Sequence, residues 1–292
     1  KNAPRYGLNS DRMLDVILVA TPVAILSART YYVIFDGEKL NGIGDFFGFG
    51  TSSGFAGLAI YGGVIGAFAS GAVMCKIRKV KILDMFDVAA AGFLIGQGIG
   101  RWGNFVNGEC FGTNTTLPWG MTSANIMSYI MTHTSEQMGA EVDPTIPVHP
   151  TFFYEFAWCM IGLIVYCLVM KKRKADGEMF VFYIGWNGFG RMWIEGLRTD
   201  SLMLGSFRVS QLLGGLMALA ALITFMVLRS RLKKAAAEGA APTLWRDTEE
   251  CKLQLAGKWD YKANAPKEEP KADSDGEEAS EEAEQTVDDG EQ

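Results

Sequence analysis

The chain has 292 residues, 49% of them hydrophobic, and carries a formal net charge of −6. The apolar content and the acidity belong to different regions: residues 1–234 hold 21 Lys and Arg against 16 Asp and Glu, and residues 235–292 hold 6 against 17. Five cysteines without a CxxC or metal-ligand spacing, and only two histidines, exclude a disulfide framework and a histidine-rich metal site.

Six apolar runs follow one another: Val16–Phe35, Phe55–Cys75, Met85–Gly100, Phe152–Met170, Met179–Ile194 and Val209–Leu228. Several fall slightly short of the roughly 20 residues that span a bilayer, but their flanks extend them. None alternates with period two, so a membrane barrel is excluded and the predicted fold is an all-α, polytopic membrane protein of six spans. The domain division expected is a helical transmembrane unit over 1–234 and a disordered acidic tail over 235–292. The tail's KEEPKADSDGEEASEEAEQ is nearly devoid of apolar side chains and cannot bury enough surface to offset its ordering entropy. Trp245 and Trp259 are candidates for contact with a membrane surface.

Charge sets the orientation. KIRKVK (76–81), KKRK (171–174) and RSRLKK (229–234) are strongly basic, whereas Lys39 is alone in 36–54 and 102–148 holds no Lys or Arg. The positive-inside rule then puts the basic loops in the cytoplasm and 36–54, 101–151 and 195–208 outside. Both ends of the chain fall on the inner side. A start at Lys1 with polar, basic residues reads as a loop that follows a further span, so a first helix missing from this sequence is expected, with a natural six-span variant as the alternative.

In chain order, the chemistry begins at Arg29, well inside the first run near its outer end, where snorkelling to the headgroups is the plain alternative to a site role. Next comes IYGGVIGA (60–67), whose glycines suit close helix packing. The central stretch is GIGRWGNFVNGECFG (98–112), which sets Arg101, Asn104, Asn107 and Glu109 directly after an uncharged run. Such polar groups at the end of a span are costly unless paired or turned to a polar cavity. A long outer loop (111–150) with a short predicted helix in 123–139 leads to PVHPTFFYE, with His149, Tyr154 and Glu155. Finally, GRMWIEGLRTD sets Arg191, Glu195 and Arg198 on one face if the helix continues.

GRWGNFVNGECFG resembles the signature of the bacterial prolipoprotein diacylglyceryl transferases, G-R-x-G-N-F-x-N-x-E-x-x-G, at every fixed position including Gly112. The resemblance runs from about Arg29 to Gln211. It implies transfer of a diacylglyceryl group from phosphatidylglycerol to the lipobox cysteine of a prolipoprotein, in the bacterial cytoplasmic membrane, with the site toward the outer face. Phosphatidylglycerol, prolipoprotein signal peptides and membrane lipids are the implied partners, with no nucleic acid and no metal or organic cofactor.

The resemblance implies that Arg101 and Arg198 act on the lipid phosphate and that Asn104, Asn107 and Glu109 shape the site. His149, Tyr154 and Glu155 match a similar H-P-[ST]-x-x-Y-E, with His149 expected to support a hydrogen-bond network rather than move a proton. Arg29 matches a similar arginine followed by aromatics. The sequence departs from the family at Tyr61, where many members have a histidine proposed as a base. A tyrosine of ordinary pKa, about 10, is a poor base at neutral pH and a good hydrogen-bond donor. Tyr61 is therefore expected to orient the headgroup near Arg101 and Arg198. A non-catalytic lipid- or signal-peptide-binding relative is the alternative reading. A small transporter is disfavoured, because the charges gather at one end of the spans instead of spreading through their depth.

Overall fold

The computed structural model describes residues 3–36, 43–47, 57–135, 140–199, 203–204, 207–239, 244–261 and 264–266. The principal helices are α1 (Ser10–Asp36), α2 (Ile60–Ile77), α3 (Ile82–Asn107), α4 (Ala124–Thr132), α5 (Thr151–Val169), α6 (Glu178–Ile194), α7 (Val209–Ala237) and α8 (Glu249–Leu255). Strands are confined to two short antiparallel pairs among the described residues.

Among the described residues five helices are long and apolar enough to cross a membrane, namely α1, α2, α3, α5 and α7. The sixth expected span is α6, a helix of 17 residues, about 26 Å long at 1.5 Å per residue. It lies against α7, α3 and α5. The chain is thus a multi-pass helical membrane protein, with apolar side chains such as Leu18, Ile60, Val106 and Leu168 turned outward. That is how a bundle dissolved in lipid differs from one dissolved in water.

Three antiparallel pairs build the bundle: α1 with α2, α3 with α5, and α6 with α7. The first pair closes at the glycines of IYGGVIGA. A Cβ on Gly62 would stand 2.4 Å from the Ser27 carbonyl oxygen, and one on Gly66 would stand 2.3 Å from the Ser27 hydroxyl. Small residues allow this approach of helix backbones.

The pair of α3 and α5 is tied at both ends. At the start of α3, Asp84 and Asp87 receive the buried Arg173 guanidinium at 3.0 and 2.8 Å. Arg173 follows the single 3₁₀ turn, Met170–Lys172, that continues α5. At the other end, Arg101 of α3 meets Glu155 of α5 at 2.5 Å. Asp87 also accepts the backbone N–H groups of Gly177 and Phe180, both at 2.9 Å. A carboxylate borrowed from α3 thereby caps the positive end of α6.

The region beyond α7 corrects the sequence reading. Residues 244–261 are folded against the basic end of the bundle. Trp245 donates from its ring to the Gly7 carbonyl at 3.1 Å and from its backbone to Asp176 at 3.0 Å. Cys251 is fully buried, Thr248 caps α8, and the Arg12 guanidinium lies 3.4 Å over the Tyr261 ring. Disorder from 235 onward is therefore too broad an expectation, since the few apolar residues between 244 and 259 find a protein surface. Trp245 and Trp259 are buried in that contact, so neither is presented to a membrane. Residues 267–292 lie outside the described residues.

Candidate active site

Helix α3 does not stop where its apolar run stops. It continues through Arg101 and Asn104 to Asn107 and ends at Gly108, whose φ of +70° closes a left-handed cap. One further turn of helix sets Arg101 and Asn104 on the same face, with Arg101 Nη1 3.5 Å from Asn104 Oδ1. Past the cap, Glu109 turns back and accepts from both amides, Asn104 at 3.1 Å and Asn107 at 3.0 Å.

Gly112 joins three sequence-distant segments. Its backbone pairs with Arg198 in an antiparallel bridge, and its N–H donates to the His149 carbonyl at 2.9 Å. A Cβ at this position would stand 2.7 Å from His149 Cβ and 2.8 Å from the Leu197 carbonyl oxygen. Thr151 secures the same knot through its hydroxyl, which donates to the Cys110 carbonyl.

Glu155 stands at the centre, with a side chain only 8% exposed. It receives Arg101 at 2.5 Å, Arg198 at 3.3 Å and Arg191 at 3.8 Å. Glu195 is buried beside it, 3.2 Å from Arg191 and 4.0 Å from Arg198. Arg208 donates to the backbone carbonyls of Glu195 and Arg198, which fixes the chain on both sides of the knot. Three guanidiniums, those of Arg101, Arg191 and Arg198, thus gather around two carboxylates, Glu155 and Glu195. Planar forks of this kind suit phosphate and carboxylate groups.

Residues 1–227 match the family model described as prolipoprotein diacylglyceryl transferase. The chain belongs to the prolipoprotein diacylglyceryl transferase family. A Streptococcus sanguinis protein named phosphatidylglycerol–prolipoprotein diacylglyceryl transferase is 42% identical over 217 residues, covering 72% of this chain and 77% of that one. Proteins of the same name from Clostridioides difficile and Clostridium novyi are 37% and 38% identical over 237 residues, covering 80% of this chain and 85% of theirs.

The structure brings together most of the residues that the transferase signature singles out. Arg101, Asn104, Asn107, Glu109, Gly112, His149, Tyr154, Glu155 and Arg198 form a connected set. His149 Nδ1 lies 3.1 Å from the Tyr154 hydroxyl, which accepts from Trp119 Nε1 at 2.9 Å. His149 is thus held by ring and backbone alike.

Two residues stand apart from this set. Arg29 is buried, and its guanidinium donates to the carbonyls of Phe46 (3.0 Å), Asp45 (3.3 Å) and Gly57 (3.3 Å). It fastens the segments at 43–47 and 57 to α1. Tyr61 is 63% exposed in the first turn of α2, its ring 6.5 Å from that of Tyr31. Among the described residues no direct contact joins it to Arg101 or Arg198.

Three participants escaped the sequence. Cys110 receives Arg198 Nη2 on its Sγ at 3.0 Å. Arg208 lies beyond the matched E-x-x-R element, and Trp119 lies in the loop. No periodicity marks any of them. The left-handed backbone of Cys110 (φ +57°) is visible only in three dimensions.

Proposed function

We propose that this protein transfers the diacylglyceryl group of phosphatidylglycerol to the lipobox cysteine of prolipoproteins, the first step of lipoprotein maturation. The observation that carries this reading is the convergence of Arg101, Arg191 and Arg198 on the buried carboxylates Glu155 and Glu195, with Arg208 holding the adjacent backbone. Guanidinium forks gathered in this way suit a phosphate that becomes a dianion as it leaves.

In the reaction, the thiolate of the lipobox cysteine attacks the glyceryl carbon that bears the phosphate. The new S–C bond forms a thioether, the C–O bond breaks, and glycerol 1-phosphate departs with the electron pair. The thiol proton passes to solvent or to a nearby acceptor. A free thiol has a pKa of about 8.5, and neighbouring cations favour its ionised form. Arg101 and Arg198 are assigned to the phosphate, where donors placed toward developing charge lower the barrier. Glu155 holds the two guanidiniums in register, while Asn104, Asn107 and Glu109 shape the approach from α3. His149 and Tyr154 position the loop against α5. Tyr61, on the lipid-facing side of α2, is assigned to the lipid's approach.

In this reading the cluster lies at the outer face of a bacterial cytoplasmic membrane, which the basic loops at the other end of the spans support. The test is turnover of the full chain in lipid nanodiscs with phosphatidylglycerol and a lipobox peptide, following thioether lipopeptide and glycerol 1-phosphate. Arg198→Lys keeps the charge and removes the fork, and the expected loss is about a hundredfold. Wild-type turnover in a folded Arg198→Lys protein would remove Arg198 from the phosphate role.

A further inference from the structure

At the opposite end of α3 from the Arg101–Glu155 pair, a cavity of about 280 Å³ is lined by Arg5, Tyr6, Met170, Lys171, Arg173 and Arg246. Four cations and no carboxylate line it. Three of them come from three separate single-turn 3₁₀ segments: Arg5 from Ala3–Tyr6, Lys171 from Met170–Lys172 and Arg246 from Trp245–Asp247. Folding of the chain's first and last described segments onto the end of α5 is what brings them together.

The fourth cation, Arg173, is buried and rigid. Asp84 and Asp87 take its charge from behind, Asp176 lies at 3.6 Å, and the Tyr6 ring lies 4.3 Å beneath its guanidinium. Its Nε has no hydrogen-bond partner among the described residues. The field in the cavity therefore comes from Arg5, Lys171 and Arg246. Asp247 Oδ1 stands 3.4 Å from Arg246 Nε, while Arg5 and Lys171 make no ion pair among the described residues.

Like charges drawn to one cavity repel each other unless an anion sits between them. We propose that this cavity binds a phosphate group. Cations arriving from three directions suit the tetrahedral oxygens of phosphate better than a planar carboxylate. The depth suits a headgroup as well, since Lys171 falls at the end of the candidate span Thr151–Lys172. Basic residues at that level attract anionic lipid. The same chemistry serves a free phosphate, and the two sources are separated by experiment.

Native mass spectrometry of the full chain, stripped of lipid in detergent, counts bound phosphatidic acid, with phosphatidylcholine, zwitterionic and of no net charge, as the control. The wild type is expected to retain one more phosphatidic acid than the Arg5→Gln/Lys171→Gln double variant, with at least a tenfold difference in affinity for that site. Lys171→Arg is expected to keep it. Inorganic phosphate is titrated in parallel by calorimetry. Binding of inorganic phosphate that is lost in the double variant, without the extra lipid, would assign the cavity to a soluble phosphate. Melting curves report whether the variants are folded; both substituted side chains are exposed. Equal retention of phosphatidic acid and equal phosphate binding in wild type and double variant would overturn the proposal.

Discussion

Arg101 of α3 and Glu155 of α5 meet at 2.5 Å, one partner on the last turns of its helix and the other on the first turns of its neighbour. Glu155 also serves Arg198 and Arg191, so its removal strands several guanidiniums at once. Glu155→Ala is expected to destabilise the fold by about 3–5 kcal/mol, the usual cost of breaking a buried ion pair from one side. Glu155→Gln keeps the shape and should stay folded while losing most of its turnover. Melting temperature and product formation, measured together, check both statements.

Gly112 is where a single methyl group is expected to do great damage. Two of the atoms its Cβ would meet are His149 Cβ and the Leu197 carbonyl oxygen, neither of them the far end of a flexible side chain. Gly112→Ala should separate the 108–115 segment from 195–199 and lower turnover at least tenfold. Gly103, with open space around its Cβ position, provides the control. Gly103→Ala should retain activity, and equal losses in the two variants would contradict this account.

The position of Tyr61 leads to a third expectation. Its side chain is largely exposed, and its ring lies tilted to that of Tyr31 with the centroids 6.5 Å apart. Tyr61→Phe keeps ring and lipid contact, and its turnover should stay within about threefold of wild type, less than the loss of a single modest hydrogen bond. A hundredfold loss in Tyr61→Phe would restore the hydroxyl to the chemistry.

The folded segment 244–261 makes a pH-dependent prediction. Burial pushes the Cys251 thiol up from 9.0 to about 11, with Asp84 and nearby carboxylates adding to it. The folded state therefore holds the proton more tightly than the unfolded one. The stabilisation is complete below pH 9 and is lost as pH rises through about 11. Burial raises Tyr6 as well, in the same sense. Maleimide labelling of Cys251 should be slow at pH 8 and accelerate steeply over that window. Truncation after residue 239 should lower the melting temperature, whereas removal of 267–292 leaves every contact described here in place.

The spans were legible because a membrane core demands long apolar runs, and all six runs became helices. Their ends were less legible. Met85–Gly100 grew into Ile82–Asn107 because Arg101, Asn104 and Asn107 continue the helix and find partners across it. The signature marked Arg101 and Glu109, and the E-x-x-R element marked Arg198, but Glu155 as the shared counter-ion depends on approaches between residues tens of positions apart. The glycines at 62 and 66 were legible as packing residues. Cys110, Arg208 and the burial of Trp245 were not, since each depends on where a distant loop returns.

The ties at both ends of α3 and α5 have a mechanical consequence. Asp87 and Arg101 are separated by 14 residues of helix, about 21 Å at 1.5 Å per residue. Sliding α3 along α5 by one residue would stretch the Arg173 and Glu155 contacts together, at opposite ends. Under an axial pull, the load is shared between two distant polar clamps. In single-molecule extraction from a bilayer, α3 and α5 should leave as one unit with a single rupture force, and Arg173→Gln should split that event in two.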